Sequence, residues 1–480
     1  MKVPFPPVVV LTLLLSILLL AAAYMFDPSL VKGPMMLLGA AMMLVVSFTS
    51  VELTLYLLVL STLLSPELTF GGHSEADLAM GKVDTTESRG VTLRLDDILL
   101  TLVCLTWMFR MALRKEVGIV RETPINQPMM WYWFVTFFST LLAMFSGKVG
   151  MYGLFFVIKY LEYFVLFFMV INHLGDEDSI KRFLWLMLIT CVIASLAGIA
   201  QIPGGGRVSA PFEGEMGEPN TFGGYLVLMF SVTLGIFLHT PRGRRWYWLL
   251  ISMGIMLVPL AFTESRSSYL SFVVAIFVFL MISKKKRFLI ISCLVGSSLL
   301  PFVLPESVIN RVMFTFNQAH QQGQLAVGGV KIDTSTTERL RSWQHVITRY
   351  FPEHPFLGVG VTGGPFLDAQ YPRVLLETGM VGLLLFLWLL RRIWVLLRKG
   401  YEQIEDEVLK GASLGTLCGF AGLLVHAIGA NTFIIVRIME PLMILLALLM
   451  AALLLERNRT EQKSNVVHAR EAKMSEGGMG

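Results

Sequence analysis

The residues of this chain that can do chemistry are arginines and carboxylates in polar stretches between long apolar runs. The shortest stretch, Thr263-Glu264-Ser265-Arg266-Ser267-Ser268, places one charge of each sign between two strongly apolar segments. Arg266 is thereby held at a membrane–water boundary. There it can snorkel and pair with Glu264, or clamp an anion, because a guanidinium grips phosphate through two parallel N–H donors. A second arginine, Arg207, follows Gly204-Gly205-Gly206, which permits unusual backbone geometry. The same loop holds Glu213 and Glu215, which read as solvated, and then Glu218 and Asn220 beside Pro219, where a helix should begin.

The third stretch is the richest. Ser335-Thr336-Thr337-Glu338 has the form of a capping box, so a helix over about 336–350 should follow, stopped by Pro352. Arg341, His345 and Arg349 then share one face, with Leu340, Trp343 and Ile347 beside it. That pattern suits an interfacial anchor whose arginines touch lipid phosphates. It equally suits a lid presenting guanidinium groups, from Arg339 or Arg341, to a substrate phosphate. A glycine-rich return, 356–365, leads to Asp368, Tyr371, Arg373 and Glu377 where the chain re-enters the membrane. Carboxylates at that depth are costly unless paired or facing a wet cavity. Arg373 and Glu377 can pair at i,i+4, which leaves Asp368 as the better general base, although it needs burial to become basic enough at neutral pH. Deeper charges, Lys159 with Glu162 and Arg437 with Glu440, are spaced i,i+3. The first reads as a structural pair, the second as a contributor to an outward-facing cavity. His426 and Asn431 fall near the outer end of one span.

These positions are set by apolar elements. The chain has 480 residues, 55% hydrophobic and 15% charged, with a mean hydropathy of +0.68. A soluble domain carries about 25% charged residues, so the bilayer must serve as solvent here. Runs this long are helices rather than barrel strands. The expected fold is an all-α polytopic membrane protein with about 14 spans. They begin with 8–26, 34–50, 51–64 and 97–113 and end with 374–390, 412–428 and 433–455. Basic clusters such as Lys284-Lys285-Lys286-Arg287 and Arg391-Arg392 all fall on one side, so the positive-inside rule puts both termini in the cytoplasm. The outer loops are then 65–96, 202–220 and the large 305–373. A membrane domain 1–455 is followed by a polar, disordered cytoplasmic tail, 456–480. The net charge of +5 is spread over short loops and argues for no nucleic acid. The cysteines 104, 191, 293 and 418 lie in apolar runs and read as small hydrophobes, not as metal ligands or a disulfide framework.

Three segments together resemble the O-antigen ligase and polymerase superfamily of bacterial envelope glycosyltransferases. They are Arg207 through Glu218-Pro219-Asn220-Thr221-Phe222-Gly223-Gly224-Tyr225-Leu226, then Thr263 to Ser268, and then Arg339 and Trp343 with 355–360, 368–373 and Glu377-Thr378-Gly379-Met380-Val381-Gly382. The resemblance implies a GT-C-like fold and a site facing away from the cytoplasm, in the bacterial inner membrane. It implies a polyprenyl-pyrophosphate-linked oligosaccharide donor, a glycan acceptor, no metal and no cofactor, and possible partnership with chain-length regulator or export proteins. It matches Arg207 and Arg266 to stabilisation of the pyrophosphate leaving group and gives Arg339, Arg341, Tyr371, Arg373, Glu377, Glu218 and Asn220 to substrate contact. Ligases carry a histidine where this chain reads Asp368-Ala369-Gln370-Tyr371. The departure points to a polymerase-type member, with ligase and lipid-glycan transporter as the alternatives. A transporter should show paired broken helices and midplane polar sites instead.

Overall fold

The computed structural model describes residues 51–64, 67–70, 91–94, 100–102, 104–106, 122–211, 217–303, 309, 313, 326–327, 330–331 and 334–476. The expected spans 8–26 and 34–50, most of 97–113, most of the loops 65–96 and 305–333, and Glu213 and Glu215 lie outside these residues.

The described helices are α1 Val51–Leu64, α2 Asn126–Phe145, α3 Met151–His173, α4 Glu177–Gln201, α5 Pro219–His239, α6 Arg244–Phe262, α7 Arg266–Ile282, α8 Lys286–Val303, α9 Thr334–His345, α10 Gln370–Gln403, α11 Glu407–His426 and α12 Val436–Glu476. Eight of them are long and apolar enough to cross a membrane, and α1 and α7 are shorter apolar helices. Many large apolar side chains point outward, among them Trp131, Phe134 and Phe138 on α2 and Leu270, Val273 and Phe277 on α7. A soluble protein would not expose so much apolar surface; lipid is the solvent that suits it. Two short antiparallel ladders also occur, Glu67–Phe70 with Val91–Arg94 and Ala326–Val327 with Val330–Lys331.

The core is built on α5 and α11, which run antiparallel with their backbones in near contact. A Cβ on Gly235 of α5 would lie 2.6 Å from the Gly415 amide nitrogen, and one on Gly411 would lie 2.6 Å from the Gly235 carbonyl oxygen. Gly411, Gly415 and Gly419 recur at every fourth residue, so one face of α11 is a smooth groove for α5. Between helices in lipid, such close approach supplies the dispersion contact that hydrophobicity cannot. The packing brings the start of α5 to the end of α11 and fixes the two ends of the bundle.

One end is tied by ions. Lys181 Nζ lies 2.7 Å from Glu177 Oε1 and 2.6 Å from Asp406 Oδ2, and Arg459 Nη2 lies 2.7 Å from Glu177 Oε2. These pairs join α4, the start of α11 and the far part of α12. The polar tail expected to be disordered from residue 456 instead continues α12 as far as Glu476. Arg457–Glu461 at i,i+4 and Arg459–Glu456 at i,i+3 pair along this extension and favour helix over coil.

At the other end α10 is broken. Gly379 has φ 65° and ψ −165°, a region open only to glycine. The break strands main-chain groups, and the glycine-rich return meets them. Val359 N donates to Leu376 O at 2.9 Å and Gly360 N to Glu377 O at 2.9 Å, while Met380 N donates to Pro355 O at 2.8 Å. Ser139 Oγ of α2 donates to Glu377 O at 2.8 Å, and Thr140 Oγ1 accepts from Val361 N at 3.1 Å. The return is therefore stitched into α2 and α10.

Candidate functional site

The turn between α6 and α7 is the hub. Ser265 caps α7 by accepting from Ser268 N at 3.2 Å, and Glu264 before it takes a left-handed φ of 48°. Thr263, Ser265 and Ser268 are buried while Arg266 is partly exposed. The short loop therefore holds its hydroxyls inward and its arginine toward the boundary.

The loop carrying Arg207 docks on this turn. Arg207 Nε donates to Thr263 O at 2.9 Å and Nη2 to Glu264 O at 3.3 Å. The guanidinium thus satisfies carbonyls at the end of α6 that the helix leaves unpaired. The loop is pinned elsewhere too. Val208 N donates to Phe262 O at 3.0 Å, and Gln201 makes two bonds of 3.1 Å to the Ser209 main chain. Arg437 of α12, 1% exposed, donates to Pro211 O at 2.8 Å. Arg437 therefore serves to place the Arg207 loop. Asn220, the second residue of α5, accepts from Ser265 Oγ at 2.7 Å, and Glu218 accepts from Thr221 Oγ1 at 3.3 Å.

The third segment arrives from above. Arg339 on α9 pairs with Asp368 Oδ2 at 3.3 Å, their side chains 23% and 47% exposed. A Cβ on Gly429 would lie 2.8 Å from Ser267 Oγ and 3.9 Å from Arg339 Cζ, so the Arg339 guanidinium stands over the turn just past Arg266. Asp368, exposed and beside a cation, is not in the apolar setting that would make it a strong base. Asn431 donates to Leu367 O at 2.7 Å, and the buried Gln370 accepts from Phe433 N at 2.9 Å. These bonds fix the approach of the 367–370 segment to the α11–α12 turn.

The remaining candidates go elsewhere. Arg341 is exposed and pairs with Glu338 at 3.3 Å on its own helix. After α9 a π-helical turn, Val346–Tyr350, and a short helix to Glu353 carry the chain slightly past the stop expected at Pro352. Tyr371 donates to Leu424 O at 2.7 Å. Arg373 and Glu377 pair at 2.9 Å with side chains only 13% and 10% exposed, Arg373 lying against the Phe366 ring. This pair sits inward, beside Tyr132 and Tyr160. Lys159 is buried with its ammonium 5.9 Å from the Phe155 ring. Among the described residues no three His, Cys, Asp or Glu side chains gather as a metal site requires.

The sequence shows His426 and Ser268 separately but not their meeting behind the hub. His426 and Ser268 are both 0% exposed and 3.3 Å apart. A histidine at the end of an apolar span was the signal for them. Its partner lies 158 positions earlier, beyond any spacing rule.

The arrangement has two arginine-bearing loops locked together at a helix N-terminus, with a third arginine above and the acidic Asp368 alongside. It can hold a doubly charged phosphate group at the membrane boundary. A search of curated proteins found no match to the chain. Residues 251–387 match the family model described as O-antigen ligase. The matched stretch contains Arg266, Arg339, Asp368 and Glu377; Arg207, Asn220 and His426 lie outside it. The eight apolar helices suit a multi-pass membrane protein, and the matched stretch indicates an O-antigen ligase- or polymerase-like function. Over residues 251–387, within its run of apolar helices, the chain is thus similar to the O-antigen ligase family.

Proposed function

We propose that the protein is a polymerase-type glycosyltransferase. It moves a glycan from a polyprenyl pyrophosphate to a sugar hydroxyl of another lipid-linked glycan, on the outer face of the bacterial inner membrane. The observation that carries this reading is the meeting of three separate outer segments at the Thr263–Ser268 turn, through Arg207 to Thr263 and Arg339 over Ser267. The orientation follows from the basic clusters, which put the Arg266 end away from the cytoplasm and both termini inside.

In the reaction the acceptor oxygen forms a bond to the anomeric carbon while the bond from that carbon to the pyrophosphate oxygen breaks. Negative charge grows on the lipid pyrophosphate, and Arg266, with the outer part of Arg207, stabilises it where it develops. Arg339 and Arg341 act from the lid helix. Asp368, paired with Arg339, orients the acceptor hydroxyl, whose proton passes to water at this open boundary as the new bond forms. Asp368-x-x-Tyr371 stands where ligases carry a histidine and favours polymerase. The description of the matched family favours ligase as the second reading.

Replacement of Arg266 by Ala should abolish polymer while leaving folded protein in the membrane. Wild-type chain lengths in that variant would sink the assignment. The glycan left in a null strain separates the readings: single lipid-linked repeats mean polymerase, and long undecaprenyl-linked chains mean ligase.

A further inference from the structure

Behind Arg266 runs a chain of buried hydrogen bonds that the reaction above does not use. Asn220 Oδ1 accepts from Ser265 Oγ at 2.7 Å, Ser265 Oγ accepts from Ser268 Oγ at 2.8 Å, and Ser268 Oγ lies 3.3 Å from His426 Nε2. His426 Nδ1 lies 2.8 Å from Thr432 Oγ1. The direction of the chain follows from the Asn220 amide oxygen at its end. A carbonyl oxygen on Asn220 can only accept, so Ser265 spends its proton there and must accept from Ser268. Ser268 then has no proton left for His426, so Nε2 carries the hydrogen, with the Asn220 main chain as a further partner, and Nδ1 faces the Thr432 hydroxyl, which also reaches Ala430 O at 3.4 Å.

The chain ties four elements at one point: the starts of α5 and α7, the end of α11, and the turn into α12. Space has been cleared for it. A Cβ on Gly223 would collide with Ser268 Oγ, and one on Gly224 would lie 3.1 Å from His426 Cε1. The His426 main chain takes part as well, accepting from Gly429 N at 3.1 Å, and Gly429 is the residue beneath Arg339. A leucine would fill the volume without needing polar partners. A fully connected polar network instead fixes one geometry, since any shift leaves a buried group unpaired.

We propose that His426 is a positioning residue for Arg266. Its Nε2–H, acting through Ser268 and Ser265, sets the first turn of α7 and so the stance of the Arg266 guanidinium against the leaving pyrophosphate. This rests on the function proposed above. His426 itself is fully buried and touches no substrate.

The test uses purified full-length protein in lipid vesicles with a polyprenyl-pyrophosphate-linked glycan. His426→Asn keeps an acceptor near Thr432 but is too short to reach Ser268. His426→Gln extends an amide N–H toward the Nε2 position. We expect kcat to fall about tenfold or more in His426→Asn with donor KM changed less than about twofold, the mark of an interaction felt only in the transition state. His426→Gln should recover most of the loss. Ser268→Ala, a smaller deletion less prone to misfold, should reproduce the kcat-only loss. With Arg266→Ala inactive, unchanged kcat in Ser268→Ala, or equal losses in the Asn and Gln variants, overturns the positioning role and leaves the proposed function standing. An active Arg266→Ala overturns the function itself.

Discussion

Arg207 and Thr263, 56 residues apart, are joined by a guanidinium-to-carbonyl hydrogen bond of 2.9 Å. An arginine from one outer loop thus completes the end of α6 and steadies the turn that carries a second arginine. Under the proposed function, charge for the substrate and support for the turn come from the same side chain.

Arg207→Ala should therefore fail twice. Polymer should disappear, and the purified protein should lose stability by the worth of a charge-assisted bond, about 1.5–3 kcal/mol at most for a site this exposed, read as a lower melting temperature. Arg207→Lys can still reach one carbonyl and should melt closer to wild type while remaining impaired in product, because an ammonium lacks the planar fork. A lysine variant with full activity would count against a bidentate phosphate contact.

Arg339 and Asp368 form a partly exposed pair, worth no more than about 1 kcal/mol to stability. Replacing either by Ala should leave the melt unchanged and lower the rate. If the pair latches α9 over the hub, the swapped variant Arg339→Asp/Asp368→Arg should regain part of that rate. If Asp368 serves chiefly as a base, the swap should stay as inactive as Asp368→Ala. Chain-length analysis of the three variants distinguishes the roles.

Arg373 and Glu377 are nearly enclosed at 2.9 Å. Glu377→Leu alone strands a buried guanidinium and should destabilise by about 3–5 kcal/mol, whereas Arg373→Met with Glu377→Leu together should recover much of the loss. Thermal unfolding in detergent reads both. Equal destabilisation by the single and double variants would mean that the pair is not the cause.

Gly379→Ala meets two penalties, a glycine-only backbone and a Cβ 2.6 Å from the Leu357 amide nitrogen. A backbone penalty of about 1–3 kcal/mol is the minimum expected. Asn, which tolerates ordinary left-handed conformations, should be no better than Ala, because the return loop occupies its Cβ position. A mild Asn variant would show that the loop can step away from the break.

Much of the fold could be read from hydropathy, because a span in lipid is recorded in a continuous run of side chains. Helix α3 begins at Met151 and α1 covers Val51–Leu64, as the apolar runs indicate. The glycine ladder Gly411-Gly415-Gly419 was in plain view, yet its partner Gly235 is set by three-dimensional packing alone. At the site, the charges announced themselves by their cost in an apolar chain. Their pairing did not: Arg373 with Glu377 follows from i,i+4 spacing, but Arg207 with Thr263, and Arg339 with Asp368, depend on how loops fold back. The tail after Glu456 is polar yet helical, because its Glu and Arg residues pair at helical spacing, which polarity alone does not reveal.

Helix α5 has every residue from Thr221 to Leu238 buried by protein. It is apolar enough to dissolve in lipid by itself, yet in the finished molecule it meets almost none. Lipid is thus a solvent that α5 uses in transit and then gives up, as α11 and its other neighbours close around it. A fault on the glycine face of α11 would leave α5 stably inserted but unsheathed, a defect that membrane integration assays would miss and only the loss of the hub would reveal.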